Sequence, residues 1–297
     1  MERKSFLKKL KNEYIGRGFV TFCGFLIVIL TLSIIFFVAS KGIQTFTKDH
    51  YSLFKFLFSS VWQPDSAPGK FGALIFMKGS AFVSIGAVIL STPMAVALAV
   101  FMNMISPRLG QKLLQPSLEL FVGIPSVVYG FIGVIVLVPF IRNKFGGVGF
   151  SLLAGILVLS IMILPTIASL SSDAIKNVSK DYIEASYGLG ATRWQTIYKV
   201  IIPASKNGIL TGIVLGLARA FGEALAVQMV IGNTIKAPKG LTDSTTTLTS
   251  IITMDMANTA NGTAWNDALW SLAFLLLIIS FAFIILIRFI GRKGEAR

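Results

Sequence analysis

The sequence predicts an all-helical protein built into a membrane, with six helices that cross it. Composition is the first reason. Of 297 residues, 54% are hydrophobic and only 13% are charged, roughly half the charged share of an average soluble domain. The second is the presence of six apolar stretches near or above the roughly 20 residues a bilayer-spanning helix needs, at about 19–39, 79–101, 117–141, 150–169, 207–232 and 268–290. Third, the lysines and arginines gather in short loops and tails beside those stretches, where positive charge orients membrane proteins.

The same pattern disposes of other classes. A net charge of +14 suits nucleic acid in principle, but the basic residues form no single face or stripe; they punctuate the spans. Cys23 is the only cysteine and His50 the only histidine, so neither an intrachain disulfide nor a Cys/His metal cluster can form. No Ser/His/Asp set accompanies them, and the chain reads as a transport subunit, not an enzyme.

Taken in order, residues 1–18 ("MERKSFLKKLKNEYIGRG") form a basic segment before the first span, whose apolar core is too long for a cleaved signal. Residues 19–290 hold the six spans and 291–297 a short tail. An even number of spans puts both termini on one side. That side carries more than twice as many lysines and arginines as the other, which makes it cytoplasmic. On the opposite side, loops 40–72 and 233–267 are long and rich in Pro, Gly, Ser and Thr, the composition of irregular or partly ordered connections. They are either solvated loops or the landing surface of an external partner.

The third span contains Pro125 between Gly123 and Gly130. Proline removes a backbone donor and clashes with the preceding turn, so a kink or break is expected near Ile124. Two uses remain open there: packing alone, or freed amides that face an anion with the hydroxyls of Ser126 and Tyr129 as further donors.

Between the fourth and fifth spans, "KDYIEASYGLGATRWQTIYKVIIP" (residues 180–203) has two capping-box spacings, Asp181 with Glu184 and Thr192 with Gln195. Gly188 and Gly190 interrupt the helix between them, and Pro203 suits the first turn of the next. The expectation is an elbow of two short cytoplasmic helices, residues 181–203, shaped to fit a cleft on another protein. No G-x-x-x-x-G-K-[ST] occurs, so any nucleotide energy enters through a partner chain.

This segment resembles the EAA loop of ABC importer permeases, with Glu184, Ala185 and Ser186 at the three leading positions, Gly190 at the glycine, and Val200, Ile202 and Pro203 at the close. It departs from that pattern by Ser186 in place of alanine and by conservative aliphatics near the end. "GIPSVVYGFIGVIVLVP" (123–139), "FLFSSVWQPDSAPGKFGAL" (56–74) and "ARAFGEALAV" (218–227) are similar to permeases of Pst-type phosphate ABC transporters, the first two to the C-type subunit. The resemblance covers nearly the whole chain. It implies a type I ABC importer permease fold in a bacterial or archaeal cytoplasmic membrane and inorganic phosphate as cargo. It also implies a second related permease, two ATPase subunits docked on the elbow that bind ATP and magnesium, and an extracytoplasmic phosphate-binding protein. This chain itself would bind no cofactor. The alternatives are import of another oxyanion, or secondary transport driven by an ion gradient, which would leave the elbow without a role.

At 100° per residue, Gly208, Gly212, Gly216, Arg219 and Glu223 of the fifth span share a stripe about 80° wide. Glycines at this spacing admit a close helix neighbour, so the charges are expected to face protein or a central pathway. An arginine near mid-span costs about 2.5–3.5 kcal/mol on an insertion scale, part of which Glu223 would offset. Two roles remain open: an ion pair that fixes packing, or a guanidinium fork offered to a passing oxyanion while Glu223 steadies it and limits the grip. In the resembling family the matching arginine and glutamate matter for transport. Methionine and phenylalanine in the spans need no cofactor to explain them.

Overall fold

A computed structural model describes residues 16–295, with side chains up to residue 290. The basic segment 1–18, apart from residues 16–18, and the side chains of the tail 291–297 lie outside the described residues. Six helices are long and apolar enough to cross a membrane: Gly16–Thr47, Leu74–Ile105, Ser126–Phe145, Leu152–Lys176, Arg193–Phe221 and Ala264–Ile290.

The elements follow in chain order. Helix α1 (Gly16–Gly42) is succeeded by a small hairpin, β1 (Trp62–Gln63) with β2 (Lys70–Phe71), and by α2 (Leu74–Val100). The third span is divided into α3 (Gln115–Gly123), α4 (Ser126–Ile132) and α5 (Val138–Phe145). Then come α6 (Leu152–Lys176), the elbow helices α7 (Lys180–Gly188) and α8 (Arg193–Thr196), and the interrupted fifth span, α9 (Ile202–Phe221) and α10 (Leu225–Val230). Helix α11 (Leu248–Asp255) lies in the last outer loop and α12 (Ala264–Glu295) closes the chain.

Helix α6 is the central post. Two-thirds of its apolar window (67%) is buried inside the protein, against none of the corresponding windows of α1 and α12. Lipid tails are as apolar as leucine, so helices associate in a membrane by close packing, and small residues mark the contacts. Gly208, Gly212 and Gly216 of α9 face Ala174, Leu170 and Ile167 of α6; a Cβ at Gly216 would stand 2.7 Å from Ile167 Cγ1. Helix α1 docks only at its outer end, where Gly42 meets Phe274 and the ring of Phe37 lies edge-on to Trp270 at 5.3 Å.

Four spans or loops widen into a π-helical turn, Phe101–Ile105, Gly110–Leu114, Gly133–Leu137 and Ile197–Ile201, and each ends two residues before a proline: Pro107, Pro116, Pro139 and Pro203. In every case the residue just before the proline donates its N–H five residues back: Ser106 to Phe101, Gln115 to Gly110, Val138 to Gly133 and Ile202 to Ile197. The proline ring presses on the carbonyl four residues back and supplies no N–H; a widened turn makes room and ends the register there. Pro93 and Pro165 sit inside α2 and α6 without such a turn.

Of the irregular or partly ordered connections that their composition predicts, the outer loops are the ordered kind, with a short hairpin and short helices. Trp62 and Phe71 pair across the hairpin and are buried with Phe56, Phe76, Leu248 and Leu269, because apolar side chains on the aqueous side still gain by leaving water. Lys48 reaches Asp267 at the start of α12 (2.9 Å) and the carbonyl of Gly262 (2.9 Å). The threonine run 245–247 and Thr249 and Ser250 are buried as well.

At the far end of α11, burial first and the charge of Asp65 second push the carboxyl of Asp255 above its ordinary value of 3.8. A raised folded value means this group favours the fold fully below 3.8 and withdraws that contribution as pH rises through the folded value. Asp255→Asn is therefore expected to raise the melting temperature of the purified protein at pH 7, with the gain gone below pH 3.8; a thermal melt at both pH values checks it.

Candidate functional site

Two interruptions in adjacent spans build the site. In the third span α3 stops at Gly123, Ile124 is extended (ψ 128°), and α4 restarts after Pro125, the break that the proline predicts. The hydroxyl of Tyr129, whose side chain is buried, donates to the carbonyl of Phe121 at 2.8 Å and so braces the break from one turn beyond it. Ser126 is half-buried and its hydroxyl has no hydrogen-bond partner among the described residues.

The fifth span breaks as well, where sequence periodicity reads one continuous helix. Helix α9 ends at Phe221, Gly222 and Glu223 form a turn, and α10 begins at Leu225. The shared stripe therefore holds through Arg219 and fails at Glu223. Arg219, in the last turn of α9, donates from Nη1 to Thr166 Oγ1 of α6 at 2.7 Å. Glu223 turns to the other side: its Oε1 accepts the N–H of Ala226 (3.3 Å) at the start of α10, and its carbonyl accepts the hydroxyl of Thr249 at 2.6 Å. No ion pair joins Arg219 to Glu223; the ion pair among the described residues is Lys48–Asp267. The expected mutual support is corrected by the break, which removes the helical geometry that would have stacked the two side chains one turn apart.

The two breaks lie side by side because α4 packs on α10. A Cβ at Gly130 would meet Met229 Sδ at 2.8 Å and Ala226 Cα at 3.0 Å. Arg219 stands in the last turn of α9, where helix carbonyls favour a cation, with the neutral hydroxyl of Thr166 as its partner. Glu223 borders a narrow cleft lined by Ser80, Ser84, Thr247 and Thr249 together with apolar Val83, Phe221 and Val227. The four serines and threonines and Thr166 escape sequence reading. The faint signals are the placement of Thr166 directly after Pro165 and the density of hydroxyls in "STTTLTS" (244–250).

On the side that positive charge assigns to the cytoplasm, α7 and α8 form the elbow. The second capping box is complete: Thr192 Oγ1 accepts the Gln195 N–H (3.3 Å) and Gln195 Oε1 accepts the Thr192 N–H (2.8 Å). The first is replaced, since Ser179 caps α7 by accepting the N–H of Asp181 at 3.3 Å. Gly188 is the last helical residue, and the corner itself is Gly190 with φ +79°. Glu184 and Ala185 are exposed, while Ser186 is buried with its hydroxyl 3.0 Å from Thr196 Oγ1, so the residue that departs from the alanine pattern ties the two elbow helices together. Arg193 Nη2 donates to the carbonyl of Ile105 (3.2 Å) and anchors the elbow to the second span. Leu189 at the tip is 90% exposed, flanked by exposed Tyr182, Tyr187 and Trp194. Pro203 stands at the start of α9, but α8 leads into α9 through the π turn without a break.

Six spans, two of them interrupted side by side, and an elbow with an apolar tip make this a membrane-embedded helical protein. The chain belongs to the family of binding-protein-dependent transport system inner membrane components, whose sequence model matches residues 92–294. It is 50% identical over 285 residues, 96% of this chain and 92% of the relative, to the probable ABC transporter permease protein YqgH of Bacillus subtilis (strain 168). It is 32% identical over 264 residues, 82% of this chain and 80% of the relative, to the phosphate transport system permease protein PstC of Mesorhizobium japonicum. Among solved structures, an inward-facing MetNI methionine ABC transporter shares the fold with a TM-score of 0.53, at 22% identity, over 72% of this chain and 93% of that one. The protein is an ABC importer permease subunit of a multi-pass membrane kind, and such a subunit works with ATPase and binding-protein partners.

The elbow distinguishes its two glycines. A side chain at Gly190 is strained by about 1–2 kcal/mol in the left-handed region, whereas Gly188 has open space around it and helical backbone, where alanine gains about 1 kcal/mol over glycine. Gly190→Val is expected to weaken retention of the ATPase subunits and Gly188→Ala to leave it intact, as read by co-purification of the complex.

Proposed function

We propose that this permease forms half of the translocation pathway of an ATP-driven importer of inorganic phosphate. A second related permease would supply the other half, two ATPase subunits holding ATP and magnesium would dock on the elbow, and an extracytoplasmic phosphate-binding protein would deliver the cargo. The observation that carries this reading is Arg219: a guanidinium at the interruption of a span, bonded to a hydroxyl and to no carboxylate among the described residues. A charge so placed is expensive unless it serves a function, and four of its five N–H donors remain for the oxygens of an anion. A relative named as a phosphate permease, similar over four-fifths of this chain, supports phosphate as that anion.

Each remaining residue has a role in this scheme. Ser126 adds a hydroxyl donor at the neighbouring break, and Tyr129 holds that break open by its bond to Phe121. Glu223 places negative charge beside the path and so keeps the anion from binding too tightly to leave. Gly208, Gly212 and Gly216 seat α9 against α6. Glu184, Ala185 and the exposed tip meet the ATPase, Ser186 and Gly190 fix the elbow's angle, and Pro203 ends the π turn through which α8 continues into α9. Exposed Phe121, Val128 and Ile132 beside the first break offer an apolar flank to the second permease.

Uptake of radiolabelled phosphate into proteoliposomes holding the whole assembly tests this. Arg219→Ala is expected to lower uptake about tenfold or more, the equivalent of roughly 1.4 kcal/mol for a lost charge-assisted contact, with assembly intact. Wild-type uptake by that variant removes Arg219 from the path. Transport of sulfate in preference to phosphate by the native assembly reassigns the cargo.

A further inference from the structure

The interrupted fifth span is gripped from outside by α11. This helix begins on a seat in α2: the N–H of Leu248 donates to Ser80 Oγ at 2.9 Å, and the carbonyl of Thr246 lies where only a glycine, Gly79, leaves room. Thr247 caps it by accepting the Ser250 N–H at 3.1 Å. From this seat two threonines one helical turn apart, hence on one face, reach the broken span. Thr249 Oγ1 donates to the carbonyl of Glu223 at 2.6 Å, inside the break. Thr253 Oγ1 lies 2.7 Å from Gln228 Oε1 on α10, closer than to its own helix carbonyls of Thr249 and Ser250 at 3.0 Å each.

The opposite side of α11 belongs to the outer face. Leu248 and Ile251 are buried in one cluster with Trp62, Phe71, Leu269 and Leu272, so this side of the helix packs against the hairpin and the start of α12. One short element thus touches the outer assembly on one side and both the break and the segment after it on the other.

We propose that α11 is a splint that sets the position of Glu223 according to the state of the outer face, with Thr249 and Thr253 as its positioning residues. A binding protein that lands on the hairpin and the outer loops displaces α11, and the two hydroxyls carry that displacement to the interruption. Without them the landing and the break are uncoupled, although both remain folded. The inference rests on the reading of the Glu223 break as part of the translocation path.

Two readouts on the full transporter in nanodiscs test it. The first is the ratio of ATPase rates with and without excess phosphate-loaded binding protein. Thr249→Val is expected to cut that ratio about fivefold, the effect of one lost hydrogen bond of about 1 kcal/mol; Thr249→Ser restores it, and Thr253→Val lowers it less. The second is hydrogen exchange, which needs no substrate: Thr249→Val speeds exchange in residues 222–230 and leaves the elbow 180–203 unchanged. An unaltered ATPase ratio in a stimulated wild type, or unaltered exchange at 222–230, overturns the splint. If the native assembly is not stimulated by the phosphate-loaded binding protein, the phosphate assignment fails and the exchange experiment alone decides the splint. Should Thr249→Val not assemble, Thr253→Val is read by the same two measurements.

Discussion

Backbone groups freed by a broken helix must find partners inside the protein, because lipid offers none and each unmet group costs several kcal/mol. This requirement organises the centre of the molecule. At the first interruption the carbonyl of Phe121 takes the hydroxyl of Tyr129. At the second, the carbonyl of Glu223 takes the hydroxyl of Thr249, and the amide of Ala226 takes the carboxylate of Glu223. A tyrosine one turn ahead, an outer helix folded inward and a carboxylate turned back on its own chain are three answers to one demand. The burial of the 245–250 segment follows from it, since a solvated loop could not reach the break.

Close packing then holds these polar answers in place. Helix α6 offers Ile167, Leu170 and Ala174 to the glycines of α9 and, a residue before Ile167, the hydroxyl that receives Arg219. Packing and charge placement are thus two faces of the same pair of helices. On the outer side, where water returns, ordinary hydrophobic burial takes over: Trp62 lies edge-on to Phe76 at 5.0 Å and to Phe71 at 5.7 Å.

The spans, the elbow and the break at Pro125 are legible in the sequence because each follows from a local rule: apolar length, capping spacing, a missing N–H. The break at Gly222 is not legible in the same way. It carries no proline, and a period of 3.6 residues runs unbroken through Arg219 and Glu223, so the pattern pairs two charges that the backbone separates. Thr166 and Thr249 are invisible for a different reason. Their partners lie 53 and 26 residues away, and a hydroxyl on an apolar helix looks the same whether it bonds its own turn or a neighbour. Ser186 shows the reverse: a small departure from a familiar pattern that acquires its meaning only once Thr196 is seen beside it. The π turns stand between these cases, since the prolines that end them are plain in the sequence and the register shift they impose is not.

The run from Arg193 to Phe221 is a single rod of 29 residues, about 40 Å from end to end, with the elbow at its foot and Arg219 near its head. It is not uniform along its length, for the π turn Ile197–Ile201 widens it just before Pro203. The joint comes afterwards, at Gly222, and Glu223 is on the far side of it. In the proposed importer, force applied at the foot is expected to reach the arginine as a thrust, while the glutamate, beyond the joint and bonded to Thr249 of α11, is held apart from it. On that reading the two charges that the sequence sets four residues apart are the ends of two separate levers, and a push from the cytoplasmic side is expected to change the gap between them.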